Sequence, residues 1–143
     1  MLRKRIIPVL LLRNKGLVKG IQFNKYRYIG DPINAIKIFN DKEVDELALL
    51  DINATLDNRT IDTTFVQKVA DECYMPFLVG GGISSVNQIR NLLKAGAEKV
   101  SLNTEAIKNP KLIIDAAEIF GSQSVVVSID VNKNWFGKRV VVS

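Results

Sequence analysis

The chain contains no histidine and one cysteine, Cys73, in 143 residues. Without histidine, Ser-His-Asp and Cys-His catalysis are excluded, as are the common imidazole metal sites. A lone cysteine excludes an internal disulfide and a cysteine zinc cluster. Acid and base chemistry is left to Asp, Glu, Lys, Tyr or Cys. No apolar run approaches the roughly 20 residues of a membrane span. The opening MLRKRIIPVLLLRNKG superficially resembles a signal peptide. Its apolar run, Ile6 to Leu12, is short, and no small-residue cleavage site precedes Arg13 and Lys15. A reduced, cytoplasmic protein without membrane contact is the expectation. Long runs of one charge are also missing. The net charge of +5 is scattered and no basic run carries interleaved aromatics, so nucleic acid is not an expected partner. A phosphorylated metabolite would account for the same excess. Neither GxGxxG nor GxxxxGK[ST] occurs, and no nucleotide or other cofactor is expected.

What the chain does have is alternation. Short β-rich apolar runs, RIIPVLL (5–11), ELALLDI (46–52), PFLVGG (76–81), KVSLN (99–103) and SVVVSID (124–130), are separated by stretches of helical period. The helix candidates are Pro32 to Asp41, Thr60 to Cys73, Ser85 to Ala95 and Pro110 to Phe120. Asp31-Pro32 and Asn109-Pro110 make suitable N-cap and first-turn pairs, because proline lacks an amide that would be orphaned there. Ala95-Gly96 and Phe120-Gly121 make suitable stops. The resulting βαβαβαβαβ order predicts one α/β domain over residues 1–143, with parallel strands under helices. Strands nearly continuous in apolar residues fit burial on both faces. A complete (β/α)8 barrel needs roughly 200 or more residues, which leaves a small open sheet or an incomplete parallel barrel of about five strands out of eight. The tail NWFGKRVVVS reads as the start of a hairpin after strand five.

In parallel βα proteins the productive face lies at the carboxyl ends of the strands. Strand two ends there in Asp51, strand five in Asp130 and strand four in Asn103-Thr104. Strand three runs directly into Gly80-Gly81-Gly82-Ile83-Ser84. Glycines before a helix let backbone amides approach an anion, and Asn103 and Thr104 could add donors to the same phosphate. A plain tight turn is the competing reading of the glycines. Asp51 and Asp130 alone do not make a metal site, and none is expected. At the opposite ends, Arg5, Glu46 and Lys99 begin strands one, two and four. Closure of the strands about an axis would make the three converge and pair, since an isolated buried charge costs several kcal/mol.

The combination LRKRIIP, KG (19–20), GDP (30–32), DELALLDI, PFLVGGGI, GAEKVSLNT and FGSQSVVVSID resembles the cyclase subunit of imidazole glycerol phosphate synthase. The likeness runs from Met1 to about Asp130, somewhat more than half of a complete member. It implies a phosphate-binding (β/α)8 barrel of two similar halves. That agrees with the echo of Ile6 to Leu11 in Val125 to Asp130, which sets Leu11 opposite Asp130. It also implies ammonia entering from a glutaminase partner at the barrel floor, and ring closure on a substrate with two phosphates in histidine biosynthesis. On this resemblance Gly81, Gly82, Asn103 and Thr104 hold one phosphate, and Lys19 lies in a mobile loop over the substrate. Asp130 is one of two catalytic aspartates, and Arg5, Glu46 and Lys99 are three of four gate charges.

The departure is Leu11, at the position of the other catalytic aspartate, followed by the loosened Arg13-Asn14-Lys15-Gly16. Leucine neither takes nor gives a proton, and a positioned acid or base is worth ~10²–10⁴ in rate. Asp51 is the candidate substitute. The alternative is a lapsed paralogue that conducts ammonia to a sugar amidotransferase acting on surface polysaccharide or glycan. Open strand edges further predict self-association into a dimer or larger species.

Overall fold

A computed structural model describes residues 4–21, 24–133 and 139–142. Five strands are parallel: β1 (Val9–Arg13), β4 (Leu47–Asp51), β5 (Phe77–Gly80), β6 (Lys99–Leu102) and β7 (Val125–Val127). Two further strands, β2 (Gly16–Ile21) and β3 (Asn24–Gly30), add antiparallel to β1, giving the order β3-β2-β1-β4-β5-β6-β7. The expected βαβ alternation is therefore corrected at its first unit, where a hairpin intervenes before any helix. The signal was present in Asn14-Lys15. Both residues have positive φ (51° and 64°) and Arg13 pairs with Gly16, which is the two-residue primed turn that suits the right-handed strand twist. Pairing with β2 also carries β1 on to Arg13.

The predicted start of strand one shifts for a related reason. Pro8 has no amide to donate, although its carbonyl still accepts from Ala48 N at 2.9 Å. The strand begins at Val9, so Arg5 lies before β1 rather than opening it.

The helices α1 (Pro32–Asp41), α2 (Thr63–Glu72), α3 (Val86–Lys94) and α5 (Lys111–Phe120) follow the predicted segments. Asp31 caps α1 with Pro32 behind it, its carboxylate accepting from Asn34 N at 3.0 Å. The Asn109-Pro110 pair moves by one position: Pro110 occupies the cap, without a side-chain bond, and α5 starts at Lys111. A short helix α4 (Thr104–Lys108) between β6 and α5 was not anticipated.

The strands separate two environments. Leu47, Leu49, Phe77, Val79, Val100 and Leu102 point to the helices and join Ile36, Val66, Val69, Ile89, Leu92 and Leu112 in one continuous core. The alternate residues, Ala48, Leu50, Leu78, Gly80 and Ser101, form the inner face. Leu12 belongs to the helix-side core, which sets Leu11 on the inner side with Val18 and Leu50 as its ladder partners.

The predicted fifth strand ends earlier than Asp130. Ser128 N still donates to Leu102 O at 2.8 Å, but Asn103 then turns β6 into α4 and leaves no partner for the next rung. Asp130 instead opens β8 (Asp130–Lys133), which pairs antiparallel with β9 (Arg139–Val142). Residues 134–138 of the hairpin sequence anticipated after strand five lie outside the described residues. Among the described residues β7 has one ladder partner, and its last residue, Val127, with the following Ile129 and Val131, is exposed. No described helix is long and apolar enough to cross a membrane.

Candidate functional site

At the amino-terminal ends of the strands the three predicted charges meet. Lys99 Nζ lies 2.6 Å from Glu46 Oε1, and Arg5 Nη1 lies 3.8 Å from Glu46 Oε2. The Glu46 side chain is 8% exposed and that of Lys99 18%, so this pair is largely withdrawn from water, whereas Arg5 at 68% approaches from solvent. Glu46 occupies the inner side because it precedes Leu47, whose side chain is in the helix-facing core. A carboxylate so buried needs its ammonium partner. Asp45 beside it accepts from Ile6 N at 2.8 Å, a tether for the chain entering β1 that composition and spacing gave no reason to expect.

Above this floor the inner face combines small and polar groups with Leu11, Leu50 and Leu78. Ala48 and Ser101 are buried, and Ser101 Oγ is 3.0 Å from Ser128 Oγ. A side chain at Gly80 would strike Leu50 and Ser101.

The carboxyl ends of β4, β5, β6 and β7 form the rim. Gly81 (φ 130°) and Gly82 (φ 63°) carry the chain from β5 toward α3. Their shape is enforced from below: a Cβ on Gly81 would lie 2.6 Å from Asp51 O, and one on Gly82 would lie 1.8 Å from Arg59 O. Only glycine fits there. Asn103 follows β6 directly, and its Nδ2 donates to Asp130 Oδ2 at 2.8 Å, while its Oδ1 is buried without a partner. Asn103 and Asp130, read separately from sequence, are thus in contact. Thr104 opens α4 next to them.

Asp51 has a different setting from the one expected of a spare base. Arg59 Nη1 and Nη2 donate to its Oδ2 and Oδ1 at 2.6 and 3.2 Å, and Asn53 N also donates to Oδ1 at 3.2 Å. Arg59 Nε reaches Asp57 at 3.2 Å. These partners, Asp51 first, hold the Arg59 guanidinium still more firmly protonated than usual. With its side chain 10% exposed and both oxygens engaged, Asp51 is a structural anchor in this arrangement. Arg59 escaped sequence reading because nothing in TLDNRT marks a partner eight residues earlier.

Lys19 is not brought to the glycine turn. It lies on β2 opposite Arg27, beside an open hollow of about 620 Å³ lined by Ile21, Lys25, Arg27, Tyr28 and Ile29. Cys73 donates its thiol to Met75 O at 3.3 Å, and burial pushes its pKa up, which makes it a poor nucleophile. Among the described residues no group of three or more His, Cys, Asp and Glu side chains is placed to hold a metal.

Residues 5–143 match the family described as histidine biosynthesis protein. The chain belongs to that family. The family is built on the (β/α)8 barrel, of which the five parallel strands here form a part with an open sheet. An imidazole glycerol phosphate synthase subunit of Streptococcus mutans is 50% identical over 133 residues, covering 93% of this chain and 53% of that protein. The subunit of the same name in Methanococcus vannielii is 48% identical over 135 residues, covering 94% and 50%. A Vibrio vulnificus protein that carries the same subunit name provisionally is 51% identical over 139 residues, covering 97% and 54%. The chain therefore spans about half the length of these curated relatives.

Proposed function

We propose that the chain forms the ammonia-receiving and phosphate-holding part of an imidazole glycerol phosphate synthase cyclase subunit. Ammonia from a glutaminase docked at the floor enters through Arg5, Glu46 and Lys99 and moves along the inner face. At the rim the amides of Gly81 and Gly82, with Asn103 and Thr104, take one phosphate of a phosphoribosyl substrate. Asp130 takes up and returns protons during ring closure, which yields imidazole glycerol phosphate and an aminoimidazole carboxamide ribotide. The observation that supports this reading most is the arrangement on one inner face: a buried Glu46–Lys99 pair at one end, the Asn103–Asp130 contact at the other, and Ala48, Gly80 and Ser101 between.

Leu11 favours a second reading. It lies on the inner side between Val18 and Leu50, where the resemblance places an aspartate. A carboxylate missing there leaves the floor intact and the chemistry impaired, as in a lapsed cyclase that passes ammonia to a sugar amidotransferase. The deciding experiment is ammonia-dependent cyclisation by the longest form its gene encodes, compared with Leu11→Asp. A gain of ~10²-fold or more in the variant is the expected result. Full activity without the substitution overturns the role given to Leu11. Firm glutaminase binding with no turnover by either protein supports the conducting role.

A further inference from the structure

The rim contains a closed circuit that neither the catalytic nor the gating reading uses. Gly81 sits on the backbone carbonyl of Asp51 and Gly82 on that of Arg59, each so closely that a Cβ would collide. Asp51 ends β4, and Arg59 lies in the loop that leads to α2. Their side chains are joined by two hydrogen bonds of 2.6 and 3.2 Å. The same loop grips the turn twice more, through Ile61 N to Gly81 O at 3.0 Å and Thr60 Oγ1 to Gly82 O at 3.4 Å. The two carbonyls that form the seat of the glycine turn are therefore held at a fixed separation by one side-chain pair.

We infer that Arg59, clamped on Asp51, is a positioning residue that sets the conformation of the Gly81-Gly82 turn for phosphate. The inference rests on the phosphate reading given above. Arg59 acts through the backbone: three of its five N–H donors, one on each nitrogen, are committed to Asp51 and Asp57. Bidentate geometry is what the role needs. A planar fork fixes both distance and angle, whereas a lysine ammonium fixes neither. The pair also explains why a carboxylate ends β4 without facing the Asn103–Asp130 contact.

The test uses inorganic phosphate as the probe. It is titrated into the 15N-labelled chain while the backbone amides of Gly81, Gly82 and Thr104 are followed. In the unsubstituted chain these resonances shift saturably. Arg59→Met weakens the apparent Kd by about tenfold or more, as loss of an outer partner does at other ion sites. Arg59→Lys and Asp51→Asn fall between, and the amides of Leu49 and Val79 report that each variant is folded. Should Arg59→Met not fold, the two milder variants carry the same ordering. A variant series with unchanged Kd, in which Gly82 and Thr104 still respond, overturns the inference and leaves the phosphate reading intact. No response at the three amides in the unsubstituted chain removes both.

Discussion

The same strands present two unlike surfaces. On the helix side, Leu47, Leu49, Val79 and Val100 are fully buried among apolar neighbours. On the inner side the alternate positions carry Glu46, Ala48, Gly80, Lys99 and Ser101, which are small, polar or charged, beside the apolar Leu50 and Leu78. A sheet covered on both faces is usually read as continuously apolar strands. Here the period of two survives inside that texture, and it divides the strands: one face holds the sheet to the helices, while the other carries the small, polar and charged groups. Stability and activity should therefore respond to different substitutions even at adjacent residues.

The sharpest way to break this contrast is to truncate one residue on each side. Leu49→Ala removes a fully buried side chain and is expected to cost roughly 2–5 kcal/mol in denaturant unfolding. Ser101→Ala, on the inner face, loses one hydroxyl contact to Ser128 and is expected to cost roughly 0.5–1.5 kcal/mol. Equal losses would show that the inner face is as structural as the outer one.

Glu46→Gln comes next. It keeps the shape of the side chain and leaves Lys99, 18% exposed, without its counter-charge. A loss of roughly 1–3 kcal/mol is expected, below that of a fully buried pair because Lys99 can rehydrate. A stabilised variant would mean that the floor charges are kept at the expense of the fold.

The smallest effect lies outside both faces, at the start of α2. Asp62 accepts from Thr64 Oγ1 and Thr64 N, and these bonds, the hydroxyl's foremost, hold its pKa below the usual carboxylate range, with help from Phe65 N and Lys15. A folded pKa below the unfolded one means that the ionised cap stabilises. Its contribution is complete above the ordinary carboxylate range and fades as pH falls through the folded value. Unfolding curves of the unsubstituted chain and Asp62→Asn should therefore converge on acidification from neutrality. A gap independent of pH would refute the assignment.

Much of the fold was legible because it rests on local rules. α1 has the predicted limits because Asp31-Pro32 supplies both a cap and a missing donor, and α3 and α5 stop beside Gly96 and Gly121, where φ is positive. The floor charges were legible because Glu46 and Lys99 flank apolar runs whose period puts them on one side. The hairpin of β1 and β2 was not, since Asn14-Lys15 is a weaker turn signal than Asn-Gly and its positive φ is adopted under the pull of β1 pairing. The partner of Asp51 was also hidden: Arg59 acts from a loop, and loop geometry follows from tertiary contacts that no periodicity records. Position at a strand end was enough to mark Asp51 as polar, but not to say what neutralises it.

Asp130 rides just past the last rung at Ser128, on a ribbon paired from Asp130↔Val142 to Lys133↔Arg139. The aim of that carboxylate is therefore steered by a two-strand lever and tethered at its tip by Asn103. Substitutions well along β9 should reach the rim by swinging that lever, which gives the protein a way to shift the Asp130 carboxylate without touching the parallel strands.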